Sequence, residues 1–179
     1  NFTSIDVDGK NIPIDFKLEP SQDWTKEGAF IEKLNLAPHI CCGKYTDVRF
    51  GAIASHSFGQ DDILFYNGNP SNSMPESGEV TYKGESIMVD KGNNVFGGYR
   101  KGTSEFKVNF GDKKLSGSLN VDSPKYDVES GESKFNNVKV DINADISGNK
   151  FYGTAKSSSF VSEAVSEGKF YGDGAKELG

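Results

Sequence analysis

The sequence contains few of the side chains with which enzymes bind metals or form nucleophiles: two cysteines and two histidines among 179 residues. It has no Gly-x-Ser-x-Gly turn, no His-Glu-x-x-His pair and no phosphate-binding glycine loop ahead of a helix. No apolar run approaches the ~20 residues that span a bilayer. Because the usual catalytic constellations are missing, we expect a protein that binds a partner and is not an enzyme.

Basic residues are also fewer than acidic ones: 20 lysines and arginines against 26 aspartates and glutamates give a formal net charge of −6. Nucleic-acid binding needs a basic surface, so nucleic acid is excluded as the main partner. The chain opens on Asn1 and has no basic segment followed by an apolar stretch, as a processed secretory protein does. We therefore expect a secreted, extracellular protein.

Glycine is abundant, with 21 residues spread among Asn, Asp and Ser, which is typical of turns between strands. Alternating apolar residues predict a hairpin over 2–18 that turns at Asp8-Gly9, and two strands near 46–54 and 62–67. Only Trp24, Phe30, Ile31 and Leu34 are spaced as one face of a short helix, within 21–36. Further strands are predicted at 78–88, 104–111, 114–122, 135–147, 150–155 and 168–171.

This pattern predicts a mostly β protein in two parts. The polar, proline-containing stretch 69–75 is the best boundary, so we expect a small β-rich domain over 1–74 and a second over 75–179. Short strands joined by tight turns favour an antiparallel barrel or sandwich for the second domain.

His39 and His56 both lie in the first part, each in an apolar neighbourhood that we expect to form a turn. Imidazole is a common axial ligand of haem iron. The surrounding residues could line such a pocket: Leu36, Ile40, Tyr45, Phe50 and Phe58 as walls, with Lys44 and Arg49 near the propionates. From spacing alone, the simpler alternative is two unrelated surface or half-buried histidines. A zinc site formed by these histidines with Cys41 and Cys42 is a weaker alternative, because adjacent cysteines fit poorly around one ion.

Cys41 and Cys42 are neighbours and the only cysteines. In an oxidising compartment a vicinal disulfide is the natural hypothesis, and it would stiffen the loop after His39. Two reduced, buried thiols are the alternative.

Several segments together resemble the handle and barrel of transferrin-binding-protein-B-like surface proteins, which the Slam machinery exports in Gram-negative bacteria. The segments are Tyr45–Gly51, Leu64–Pro70, Met74-Pro75 with Gly78–Gly84, Lys150–Ala155, Gly168–Gly172 and Ala175–Gly179. The resemblance implies an N-terminal handle or clamp followed by an up-and-down antiparallel barrel of about eight strands.

A single handle with a single barrel is similar to the hemophilins, the secreted haem-binding members of this family. That resemblance implies a hemophore that binds one haem b through His39 and His56 and delivers it to a TonB-dependent outer-membrane receptor for iron acquisition. Host haemoglobin would be the source of the haem. The alternative within the family is a surface module that binds a host protein, such as transferrin or a complement regulator, without haem. A lipid-carrying barrel is a third possibility and would need an apolar lumen.

Overall fold

The computed structural model describes residues 4–7, 9–14, 24, 36–55, 63–90, 98–121, 125–126, 133–134 and 137–179. Within these ranges the chain forms β-strands and no helix. The strands are β1 Ser4–Val7, β2 Lys10–Pro13, β3 Leu36–Cys41, β4 Val48–Ser55, β5 Ile63–Gly68, β6 Glu79–Asp90, β7 Gly98–Asn109, β8 Lys114–Val121, β9 Lys125–Tyr126, β10 Ser133–Lys134, β11 Val138–Ser147, β12 Lys150–Lys156, β13 Ala164–Tyr171 and β14 Glu177–Leu178.

The mostly β fold is thereby confirmed, while the short helix predicted over 21–36 lies outside the described residues except at Trp24 and Leu36. Backbone contacts divide the chain into two units. The first contains residues 1–72 together with 170–179, and the second contains residues 73–169. The domain boundary after residue 74 stays a prediction.

The first unit contains two antiparallel sheets. β1 and β2 form a hairpin with Ile5 opposite Ile12, and Gly9 adopts a φ of 79° at the turn that the Asp-Gly pair predicts. β3, β4 and β5 form a three-stranded sheet with β4 in the centre. Its core side contributes Ile40 and Ile53, which pack with Ile12 and Ile14 in one buried cluster.

β3 corrects the expectation that His39 lies in a turn. Residues 36–41 pair with β4 in regular antiparallel register, and His39 lies opposite Ala52. Proline cannot donate a ladder hydrogen bond, which made the segment around Pro38 look like a turn. β3 is an edge strand of its sheet, where proline is tolerated.

The second unit contains most of the barrel sheet, while β14 and the last two residues of β13 belong to the first unit. A seven-stranded antiparallel sheet runs in the order β14-β13-β12-β11-β8-β7-β6 and is nearly closed, where about eight strands were expected. β11 shows the alternation that such a wall requires, since Val138, Val140, Ile142, Ala144 and Ile146 are buried and the residues between them are exposed.

Large side chains fill the interior of the barrel. Phe106, Phe110, Leu115 and Phe151 are all buried. The unit also carries an open depression of about 810 Å³, whose lining mixes charged residues such as Lys107 and Asp145 with apolar residues such as Val108 and Leu115. The packed interior gives no support to the lipid-carrying barrel.

Candidate functional site

The three-stranded sheet of the first unit has a second face, opposite the isoleucine core. Side chains alternate along each strand, so His39 and Cys41 of β3 share this face with Phe50 and Ala52 of β4. Leu64 and Tyr66 of β5 complete it. We call these six residues the clamp face.

The clamp face consists of two rows that cross all three strands. His39, Ala52 and Leu64 lie opposite one another in one row, and Cys41, Phe50 and Tyr66 form the next. Cβ atoms of directly opposed residues lie within about 5.5 Å of each other. The half-buried imidazole of His39 is therefore bordered by apolar and aromatic side chains.

The β5 edge of the clamp face is accessible. Leu64 is 58% exposed and Tyr66 is 38% exposed, so both large side chains leave apolar surface in contact with solvent. Trp24 extends the aromatic surface, since its ring meets Phe50 edge to face with centroids 5.7 Å apart. Trp24 also forms an isolated antiparallel bridge with Cys41.

Residues 42–47, which we call the clamp loop, connect β3 to β4. The loop begins at a disulfide between Cys41 and Cys42, the vicinal pairing that the sequence suggested. It turns through a hydrogen bond from the Tyr45 amide to the Cys42 carbonyl of 3.2 Å. Lys44 is exposed, and its Nζ lies 5.6 Å from the centroid of the Tyr45 ring. Because thiolates are the zinc ligands, the disulfide argues against the zinc alternative.

Arg49 anchors the clamp loop. Its Nη1 donates to the carbonyls of Cys42 at 2.7 Å, Tyr45 at 2.5 Å and Val48 at 3.2 Å. Burial lowers the pKa of the guanidinium from its ordinary value, and the negative charge of Glu177 opposes that shift. The contacts described for this side chain stabilise the loop, and its predicted role near a haem propionate stays a prediction.

The structure brings some of the predicted site residues together and separates others. His39 and Phe50 share the clamp face, and Lys44 and Tyr45 lie on the adjoining loop. Ile40 is fully buried in the isoleucine core on the opposite side of the sheet from His39. The remaining predicted residues are Leu36, described here as the first residue of β3, and His56 and Phe58, which lie outside the described residues.

Sequence reasoning missed Trp24, Ala52, Leu64 and Tyr66 as parts of this surface. The alternation of β5 could have placed Leu64 and Tyr66 on one face. The position of Ala52 and the contact of Trp24 depend on cross-strand register and tertiary packing, which a single sequence does not specify.

An antiparallel barrel with a filled core, together with a three-stranded sheet that exposes apolar side chains along β5, defines a class of mostly β proteins. Residues 74–179 match the family model of the C-lobe and N-lobe β-barrels of transferrin-binding protein B, and the chain belongs to this family.

Individual relatives extend the similarity over nearly the whole chain. An uncharacterized protein of Haemophilus influenzae is 37% identical over 97% of this chain and 58% of its own length. Transferrin-binding protein B of Haemophilus influenzae is 28% identical over 99% of this chain and 35% of its own length. The crystal structure of a mutant transferrin-binding protein B from Haemophilus parasuis Hp5 superposes with a TM-score of 0.70 at 28% identity, covering 99% of this chain and 36% of that one. The chain thus spans less than two thirds of each of these proteins.

No helix among the described residues is long and apolar enough to cross a membrane.

Proposed function

We propose that this chain is a non-catalytic, surface-exposed module that captures a host iron-carrying protein of the transferrin type through its clamp face. The names of its relatives support the choice of partner, because they are transferrin-binding proteins. The family assignment supports a binding role in place of an enzymatic one.

The observation that carries the proposal is the exposure of Leu64 and Tyr66 on one face of β5. Protein interfaces gain most of their affinity from a few buried aromatic and apolar anchors surrounded by polar groups. Tyr66 supplies an aromatic anchor, and the adjoining clamp loop carries an exposed cation at Lys44. Contiguous exposed apolar surface is a feature of protein interaction sites.

Biolayer interferometry with iron-loaded host transferrin tests this assignment. We expect saturable binding to the wild-type chain and a loss of affinity of at least ~10-fold in Leu64→Asp and Tyr66→Asp, as for interface anchors. Val161→Asp is the matched control, since Val161 is fully exposed and belongs to the other unit. Equal affinity of all three variants would place the contact elsewhere on the chain.

Haem capture is the second candidate, and the environment of His39 favours it. The half-buried imidazole shares the clamp face with Phe50 and Tyr66 of the neighbouring row, whose aromatic rings supply flat apolar surface. These residues suit one face of a porphyrin, and His39 would hold the iron with His56 as the predicted second ligand. In this role the protein would be exported by Slam machinery, obtain haem from host haemoglobin and supply a TonB-dependent outer-membrane receptor.

An absorbance titration with haemin distinguishes the two candidates. Haem capture predicts a saturable Soret shift at one equivalent, with a six-coordinate low-spin spectrum that is lost in His39→Ala and in His56→Ala. Thermal unfolding of each variant shows whether the fold is retained. A flat titration of the wild-type chain would eliminate this candidate and leave the host-protein proposal untouched.

A further inference from the structure

The last ten residues of the chain belong to the same unit as the clamp face. Backbone hydrogen bonds join them to residues 69–71: the Ser71 amide donates to the Phe170 carbonyl at 3.0 Å, and the Gly172 amide donates to the Asn69 carbonyl at 2.9 Å. The buried Ser71 hydroxyl donates to the Gly172 carbonyl at 2.6 Å. The C-terminal segment is therefore an integral part of the first unit.

A tight turn then reverses the chain. Gly172, Gly174 and Ala175 have φ values of 75°, 73° and 57°, in the left-handed region that favours glycine. The turn allows β14 to pair with the end of β13, with Glu177 opposite Tyr171. It directs the side chains of Lys176 and Glu177 toward the clamp loop.

The Glu177 carboxylate accepts hydrogen bonds from three consecutive backbone N–H groups where the clamp loop leads into β4. Its Oε2 accepts from Thr46 at 3.1 Å, and its Oε1 accepts from Asp47 at 2.7 Å and Val48 at 3.0 Å. Hydrogen bonds to an ionised carboxylate are about twice as strong as neutral ones. Lys176 adds a hydrogen bond of 3.0 Å to the Thr46 hydroxyl.

We propose that Glu177 is a positioning residue for the clamp loop: its carboxylate, delivered by the C-terminal turn, fixes the loop conformation that presents Lys44 and Tyr45 to the ligand. The presentation of Lys44 and Tyr45 to a ligand rests on the proposed function. The holding of the loop is a property of the unliganded chain and is testable on it.

A general contribution to stability would affect the whole unit, whereas positioning acts on a particular stretch of backbone. Glu177→Gln separates the two, because it keeps the side-chain size, removes the charge and replaces one acceptor oxygen by an NH₂ donor that faces backbone N–H groups. Glu76→Gln is the matched control, since it removes the same charge from an exposed residue outside the first unit.

Amide hydrogen exchange measured by NMR on the unliganded protein is the primary readout. In Glu177→Gln we expect the amides of Thr46, Asp47 and Val48 to exchange at least ~10-fold faster, in line with the loss of charge-assisted bonds. The amides of the β3–β4 ladder and of β11 should exchange at the wild-type rate. Glu177→Asp keeps the charge on a shorter side chain and should recover part of the protection. Glu76→Gln should match wild type throughout.

The second readout is the affinity for whichever ligand the wild-type chain binds. Glu177→Gln should weaken this affinity by about tenfold, while amide exchange in the β3–β4 ladder stays at the wild-type rate. Unchanged exchange at residues 46–48 would overturn the proposal, as would uniform acceleration across the whole first unit. Faster exchange in the loop with wild-type affinity would also overturn it. If the wild-type chain binds neither transferrin nor haem, the proposed function fails while the exchange data still decide the role of Glu177.

Discussion

Arg49 and Glu177 bind opposite sides of one peptide group. The Tyr45 carbonyl accepts from Arg49 at 2.5 Å, and the amide of the next residue, Thr46, donates to Glu177 at 3.1 Å. Arg49 thus satisfies the carbonyl of this peptide group, and Glu177 satisfies its N–H. Without these two side chains both backbone groups would need water as a hydrogen-bond partner. Their attraction is also visible in the pKa of Arg49, which the charge of Glu177 raises against the effect of burial.

Replacing Arg49 by Lys tests the carbonyl side of this arrangement. All three bonds come from Nη1, and a lysine side chain ends one atom short of that position, so its ammonium group cannot hold all three carbonyls at these distances. We expect Arg49→Lys to lower the unfolding free energy by about 1–3 kcal/mol in urea denaturation. The substitution Lys107→Arg at an exposed position serves as the control and should change the unfolding free energy by less than ~0.5 kcal/mol. An Arg49→Lys protein as stable as wild type would show that the three contacts contribute little.

Two glycines of the C-terminal turn form a matched pair. Gly172 and Gly174 both have positive φ, but only at Gly172 would an added Cβ meet another side chain, 2.8 Å from Asp47 Oδ2. Both alanine variants should therefore lose about 1 kcal/mol from backbone strain. Gly172→Ala should lose a further ~1–2 kcal/mol from crowding. Equal midpoints for the two variants in denaturant melts would contradict the close approach of Gly172 to Asp47.

In the barrel, Phe106 packs over Gly117, its direct partner on the neighbouring strand. A Cβ added at Gly117 would lie 2.3 Å from Phe106 Cδ1, so any larger residue must displace the ring. Gly117→Ala should lower the unfolding free energy by about 1–3 kcal/mol. Gly111→Ala is the control, since its Cβ would make only an ordinary contact at 3.5 Å. A neutral Gly117→Ala would mean that the ring moves aside at little cost.

Alkaline pH should destabilise the fold through the half-buried Tyr82 and the buried Tyr171. Burial raises the pKa of Tyr82 to about 12, and burial together with Tyr66 raises that of Tyr171. An ordinary phenol ionises near ~10, so the folded chain holds these protons more tightly than the unfolded chain. The stabilisation from Tyr82 is complete below ~pH 10 and is lost as pH rises through ~12. The unfolding free energy of Tyr82→Phe should therefore fall less steeply with pH across this interval than that of the wild-type chain. An unchanged slope of unfolding free energy against pH would contradict the burial of the Tyr82 phenol.

Local signals in the sequence account for much of this fold. The turns at Gly9 and Gly148 were predictable because Asp8-Gly9 and Gly148-Asn149 lie between alternating segments, and both glycines adopt positive φ. The alternation of β11 was visible because every second residue is apolar. β3 was missed because Pro38 indicated a turn, whereas the segment is an edge strand, in which proline is tolerated.

The candidate site was predictable only in part. His39 and Phe50 were singled out by residue type, and register then placed them on one face. Ile40 is equally apolar, but strand alternation turns it into the core. Glu177 resembles any surface glutamate in the sequence, and its bonds to residues 46–48 cross about 130 positions. Interactions of that range depend on tertiary structure and carry no local pattern.

The most direct test of the proposed function is a calorimetric titration of the wild-type chain with iron-loaded host transferrin. Capture through the clamp face predicts saturable binding at one chain per site, with a negative heat-capacity change as Leu64 and Tyr66 become buried. Absence of binding at micromolar concentrations of a folded chain would contradict the account.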